Sequence, residues 1–276
     1  MAYPFKRIWR VKPTMGLMPG EMDLCPDVLC LPLNEYGGLN ARDYSTRSTG
    51  ATSSATVWAY AVLQTAAGWS QGKNGNRLSL QNTGSAYASM TAFSRAIPTS
   101  AVTVMFGQRK RDSTNRVSAT FGVNAAANSA RCGSHCPYSD GTIYFDFGGQ
   151  VAGTTRITFA GATFGDDIFA MTVGGRGMEI WQNGVLLASN SATPTRTQTD
   201  EDLQIGIGNG VTTSDLVDID FLYIWSRQIP TALIQRITAD PWAMFTRRDR
   251  GFKIAFAGAG AAAFPYVDPY IELLPQ

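Results

Sequence analysis

Charge is scarce in this chain. Only 16% of its 276 residues are Asp, Glu, Lys or Arg, against roughly 25% in ordinary globular domains. The 23 basic and 21 acidic residues leave a net charge of +2, which indicates neither nucleic acid nor any other strongly charged partner. Histidine is scarcer still: His135 stands alone, so any Ser-His-Asp or Cys-His machinery would rest on that one ring. No stretch reaches the roughly 18 apolar residues of a membrane span, and no membrane insertion is expected. Met1–Lys12 is basic enough for a secretory leader, but the apolar run that should follow is missing. Asn-x-Ser/Thr sequons are absent as well. The expectation is a soluble protein made in a reducing cytosol, with its four cysteines kept as thiols.

Hydrophobic residues, at 44%, are plentiful enough for a core. Gly, Ser, Thr and Asn fill much of the rest, a bias toward short strands and turns. The clearest local signal is Met178–Ala188, where two apolar-rich runs meet at Asn183-Gly184. A type I′ turn needs positive φ at both central residues, which Asn and Gly tolerate best. Next come a short strand around Leu203–Gly208 and a long one at Val217–Trp225. A short helix over Pro230–Ala239 follows, stopped by Pro241.

Upstream, Val102, Val104 and Phe106 share one face of a strand over Ala101–Gly107. Arg116–Val123 is expected to pair with it across the turn-prone loop Gln108–Asn115. Thr142–Phe147 alternates Ile143, Phe145 and Phe147 against Thr142, Tyr144 and Asp146, and Arg156–Phe159 and Ile168–Val173 add two more strands. With the Ser/Thr/Gly/Ala-rich segment 40–98, strands on the order of ten to fourteen make an all-β fold of two packed sheets. The ends differ from this middle. Met1–Leu33 carries prolines at 4, 13, 19, 26 and 32 among bulky apolar groups. It is either an arm packed on its own domain or one reaching onto a neighbouring subunit. After Phe245 come a basic patch, Arg247–Lys253, an Ala/Gly tract, Ile254–Ala263, and an aromatic, Pro-punctuated end, Phe264–Gln276. That tail is too apolar for a solvated one, and reads as an arm that docks on something. The expected division is an N-terminal arm 1–33, a domain 34–245 and a C-terminal arm 246–276.

The order of the C-terminal motifs resembles a laminin-G-like domain of the concanavalin A-like lectin/glucanase superfamily. Trp181-Gln182-Asn183-Gly184 stands where that family has its Tyr-x-Asn-Gly hairpin, and Leu203–Gly206 where it has Leu-x-Ile-Gly. Val217–Ile229, with Trp225-Ser226-Arg227, resembles its Ile-Asp-Asp-Val-x-Ile-Tyr-x-Arg-x-Leu strand. The coda Ala239–Phe245 resembles the end of such domains in bacteriophage proteins. The resemblance covers roughly residues 31–245 and implies an antiparallel jelly-roll β-sandwich with one short C-terminal helix between extended arms.

No catalytic, cofactor or metal site is assigned from the sequence, and no cofactor is expected. Glucanases of this superfamily carry Glu-x-Asp-x-x-Glu, and retaining hydrolysis needs carboxyls about 5–5.5 Å apart. Asp218 and Asp220 come nearest, and read as outer-face polar residues of a half-buried strand. Asp166-Asp167, in a Gly-bounded loop, offers two of the six to eight oxygens calcium wants, and Asp200-Glu201-Asp202 reads as a solvated turn. Cys132, His135 and Cys136 with Cys25 and Cys30 leave zinc, a disulfide or free thiols open. Gly206–Gly210 lacks the glycine spacing and the Lys-Ser/Thr of a phosphate loop. Trp58, Tyr60, Trp69 and Tyr138 are core residues or sugar platforms, and Arg109-Lys110-Arg111 a solvated loop or a contact with a partner.

The function this implies is non-enzymatic: a structural protein of a bacteriophage virion (capsid decoration, head fibre or tail subunit), synthesised in the host cytoplasm. Its expected partners are other virion proteins, met through the arms, further copies of itself, and a host-surface glycan. A free-standing carbohydrate-binding module is the alternative, and a divergent glycoside hydrolase a third.

Overall fold

The computed structural model describes residues 24–33, 39–45, 60–63, 67–72, 75–80, 87–111, 120–123, 127–207 and 216–245. Along these the strands are β1 (Leu29–Leu31), β2 (Asn40–Arg42), β3 (Tyr60–Leu63), β4 (Gly68–Gly72), β5 (Gly75–Ser79), β6 (Ala88–Met90), β7 (Val102–Lys110), β8 (Phe121–Val123), β9 (Cys132–His135), β10 (Ile143–Phe147), β11 (Arg156–Phe159), β12 (Asp166–Gly174), β13 (Gly177–Gln182), β14 (Val185–Asn190), β15 (Leu203–Ile205) and β16 (Val217–Trp225), followed by helix α1 (Thr231–Ala239). They form two antiparallel sheets packed as a sandwich. The first runs β14-β13-β12-β7-β16-β5-β4, with β1 also on β16; the second runs β11-β10-β9-β8-β15-β6-β3-β2.

Alternation builds the layer between the sheets. Val102, Val104 and Phe106 of β7 point inward beside Phe169, Met171 and Val173 of β12. From the second sheet Ile143, Phe145 and Phe147 face them. Phe106 stacks on Phe169 at 5.5 Å and meets Phe121 edge-on at 5.8 Å. Each such ring removed from water contributes about 1.5–3 kcal/mol. The segment expected to pair with β7 does not do so. Its described end, β8, lies in the opposite sheet between β9 and β15, because both edges of β7 are occupied by β12 and β16.

The Asn183-Gly184 turn forms as expected, with φ of 53° and 77°. The Asn183 side chain also ties it to β12: its Oδ1 accepts from Ile168 N–H at 2.9 Å and its Nδ2 donates to Asp167 at 2.8 Å.

β16 departs from the half-buried strand expected. Val217 and Ile219 point inward, but a bulge at Asp220 shifts the register, so that Ile219 faces Gln108 and Phe221 faces Gly107. Beyond it Leu222 and Ile224 point inward while Phe221, Tyr223 and Trp225 point outward. Gly107 is needed here, since a Cβ on it would sit 2.7 Å from the Phe221 ring. The outward aromatics are buried too, in a second cluster with Leu24, Cys25, Ile234, Ile237 of α1, Trp242, Met244 and Phe245. Their polar tips are satisfied by main-chain oxygens: Tyr223 donates to Pro241 and Trp225 to Leu24, both at 3.2 Å. Among the described residues no helix is long and apolar enough to cross a membrane.

Candidate functional site

The outward side of the second sheet is chemically different from the outward side of the first. In β10, inward Ile143, Phe145 and Phe147 leave Tyr144 and Asp146 on the outer face. The antiparallel ladders set Tyr144 beside His135 of β9 and Asp146 beside Arg156 of β11. Tyr138, on the turn after β9, completes a group of three rings in edge-on contact. His135 lies 5.1 Å from Tyr138 and 6.3 Å from Tyr144, and the two tyrosines are 5.6 Å apart. Tyr138 and Tyr144 stay partly exposed, while His135 beneath them is buried.

Charges frame the rings. Arg156 grips the buried Asp146 with two hydrogen bonds, Nε at 2.5 Å and Nη2 at 2.6 Å. The same guanidinium lies over the Tyr144 ring at 4.7 Å, a cation–π contact. The bonds to Asp146 hold the Arg156 pKa above its ordinary value, against the cost of burial. Arg131 approaches the same carboxylate from the other side at 4.0 Å. Its pKa is lowered, first by burial, with Asp146 opposing and Arg156 adding to the shift. At the far end the Tyr144 hydroxyl donates to Asp140 at 2.6 Å. That bond lowers the Asp140 pKa and raises that of Tyr144. The face thus presents two partly exposed aromatic rings beside fixed carboxylate and guanidinium groups.

The acidic pairs singled out in the sequence are tied up elsewhere. Asp218 and Asp220 are buried on the outer side of the first sheet, not solvated. Arg77 pairs with Asp220 at 2.7 Å and with Asp166 at 3.1 Å, and Arg111 with Asp218 at 3.3 Å. Asp166 and Asp167 belong to the start of β12 rather than to a loop. Asp167 accepts from Gly165 N–H at 2.5 Å and from Asn183. Asp200 pairs with Arg95, and Asp202 accepts from Ala92 N–H at 3.0 Å, so this stretch anchors a short 3-10 turn, Phe93–Ala96.

The cysteines do not converge. Cys25 and Cys30 lie in the outer cluster of the first sheet and Cys132 and Cys136 in the layer between the sheets, and all four are buried thiols outside any disulfide. Burial pushes the Cys132 thiol up to about 12. Of the aromatic candidates, Trp69 packs against the core, Tyr60 opens β3, Tyr138 joins the outer cluster, and Trp58 lies outside the described residues. Gly206 follows β15, with 208–210 outside the described residues. Arg109 and Lys110 end β7, with Arg109 exposed, and Arg111 follows.

Sequence reasoning missed Tyr144, Asp146, Arg156 and Arg131. The alternation of β10 already put Tyr144 and Asp146 on one face; the register bringing Arg156 opposite Asp146 was the missing piece. It also missed Arg196, a buried guanidinium that donates to the carbonyls of Ser94, Ile97 and Ala130 at 2.8–3.2 Å. That residue ties loops together and serves structure.

No protein-family model and no curated protein sequence matches this chain. Solved structures do. Domain 4 of AbnA, an extracellular GH43 arabinanase from Geobacillus stearothermophilus in complex with arabinotriose, is 14% identical, covering 62% of this chain and 81% of its own, with a TM-score of 0.48. Trypanosoma rangeli sialidase in complex with 2,3-difluorosialic acid is 12% identical over 80% of this chain and 34% of its own, at 0.53. The binding domain of botulinum neurotoxin serotype G is 12% identical over 77% of this chain and 50% of its own, at 0.55. This chain therefore spans a third to a half of the latter two. For the latter two, at these identities, the likeness is one of fold: a two-sheet β-sandwich, as the sequence led us to expect.

Proposed function

We propose that this chain is a non-enzymatic binding sandwich that takes a glycan on the outer face of its second sheet. The observation that carries this reading is the cluster of Tyr138, Tyr144 and His135 beside the Asp146–Arg156 pair, on the outer face of three adjacent strands, with the two tyrosines partly exposed. Support for a non-enzymatic role comes from Asp218 and Asp220. These neighbouring carboxylates share one face, but each is paired with an arginine and buried, which suits packing rather than the paired acid and base of glycoside hydrolysis. The test is a glycan array probed with the full chain and with its Tyr144→Ala variant. Retention of at least one saccharide by the parent and its loss in the variant is the expected result. An array without any hit would remove the glycan reading.

A second reading concerns where the sandwich works. We propose that it is a virion subunit of a bacteriophage, as the resemblance of the Ala239–Phe245 coda implies. One structural observation favours an assembly role. Leu24 and Cys25 share the outer cluster of the first sheet with Met244 and Phe245, so the first and last described residues lie in one cluster. Two apolar arms rooted together suit a chain that locks into one neighbour. Light scattering on the full chain is expected to give a defined oligomer that falls to monomer when either arm is removed. A monomeric full chain would contradict this second reading and leave the first intact.

A further inference from the structure

From the bare edge of the first sheet we infer that β14 is the docking strip for the C-terminal arm of a second copy of this chain, whose residues 252–257 add to it as a further strand. The inference rests on the assembly reading above, and names the surface and the segment that join the copies.

β14 ends the first sheet: among the described residues it pairs with β13 alone. The two-residue turn makes Gln182 and Val185 the hydrogen-bonded pair that closes the hairpin, so the next pair, Trp181 and Leu186, is of the unbonded kind. The N–H and C=O of Leu186 therefore point off the edge, where another strand can take them. The side chains make the same offer. Val185 is 62% exposed and Leu186 44%, and Val185–Asn190 holds no charged residue and no proline to turn a partner away. A bulge between Leu186 and Ala188 bends the strand, but only beyond these first two pairs. The edge strands of the second sheet, β2 and β11, carry Arg42 and Arg156 instead. The occupant follows from the chain beyond Phe245. Phe252-Lys253-Ile254-Ala255-Phe256-Ala257 alternates large apolar groups with Lys and Ala between Gly251 and Gly258, a strand pattern. It matches the six residues of β14 in length. Added at that edge, it sets Phe252, Ile254 and Phe256 on one face beside Leu186, which prolongs the outer row begun by Trp181. Phe245, the last described residue, shares the outer cluster with Trp181. Residues 246–251 span up to about 20 Å when extended, which carries the segment from that cluster to the edge of an adjacent copy. Exchange of arms between copies covers each β14 edge with the same segment.

The test runs light scattering and amide hydrogen exchange on the same samples of the full-length protein. The parent should be an oligomer, and the arm variant Phe252→Asp/Phe256→Asp a monomer. The Leu186 amide should exchange at least about ten-fold more slowly in the parent than in that variant. Leu186→Lys, a charge placed at an exposed position of the edge, should also give a monomer. Matching thermal midpoints establish that the variants fold. A slowly exchanging Leu186 amide in a monomeric parent overturns the inference, because the arm then lies on its own sheet. So does an oligomer broken by Leu186→Lys but not by the arm variant, since two β14 edges then pair directly. An oligomer that survives Leu186→Lys, or in which Leu186 exchanges as fast as in the arm variant, overturns the inference and leaves the assembly reading standing. A monomeric parent with a rapidly exchanging Leu186 removes both.

Discussion

The two outer faces of the sandwich start from the same alternating pattern and end in opposite states. On β16 of the first sheet the outward residues past the bulge are Phe221, Tyr223 and Trp225, and α1, Leu24 and the coda through Phe245 bury them completely. On β10 of the second sheet the outward residues are Tyr144 and Asp146, joined by His135, Tyr138, Arg156 and Arg131, with the tyrosines still partly exposed. An outward aromatic thus becomes core where helix and chain ends lie over it. Where its neighbours are charged, it becomes a framed surface. The lesson is that strand pattern fixes which side a residue faces, and the covering elements decide what that side is for.

The sharpest way to break this contrast is to attack the buried ions of the first sheet. Arg77→Met removes the guanidinium 2.7 Å from the buried Asp220, and should cost about 3–5 kcal/mol in urea unfolding. Adding Asp220→Leu should recover most of that loss; a single variant as stable as the parent would mean this face is not packed as described. A smaller effect is expected at the bulge. Gly107→Ala pushes a methyl group into the Phe221 ring, and should cost about 1–3 kcal/mol, read as a lowered thermal midpoint.

Much of the first sheet was legible before any coordinates. The Asn183-Gly184 turn, the span of β16 and the helix stopped by Pro241 follow from turn chemistry and proline geometry, which act locally. The face inversion in β16 was not legible, because a one-residue bulge is set by the partner strand, here by Gly107 making room for Phe221. The misplaced pairing of β8 has the same origin, since adjacency in sequence says nothing about which edges are already filled. At the candidate site Tyr138 was named, but Arg156 and Arg131 were not. Their meaning depends on ladder register, and their spacing along the chain carries no motif.

Acidity offers a subtler probe of the first sheet. Burial works against ionisation of Glu179, but hydrogen bonds from Arg176, Trp181 and Thr172 outweigh it and hold its pKa below the ordinary value. A carboxylate depressed in the folded state adds stability above its unfolded pKa, and that contribution is lost as pH falls through the folded one. Glu179→Gln should therefore cost roughly 1–2 kcal/mol near neutral pH and little at low pH, where the two unfolding curves should converge. Curves that stay parallel into acid would contradict the role given to Glu179. The smallest stability effect is expected on the second sheet. Tyr144→Ala should change unfolding free energy by no more than about 1 kcal/mol, within the range of partly exposed positions, while abolishing saccharide binding.

The measurement closest to the central claim is amide hydrogen exchange on the full chain, with and without the saccharide retained on the array. Phe221–Trp225 should exchange slowly in both conditions, as a strand buried on both faces must. Added protection should be confined to Cys132–His135, Ile143–Phe147 and Arg156–Phe159. Ligand-induced protection on the first sheet with none on these three strands would contradict the division between a covered face and a binding face.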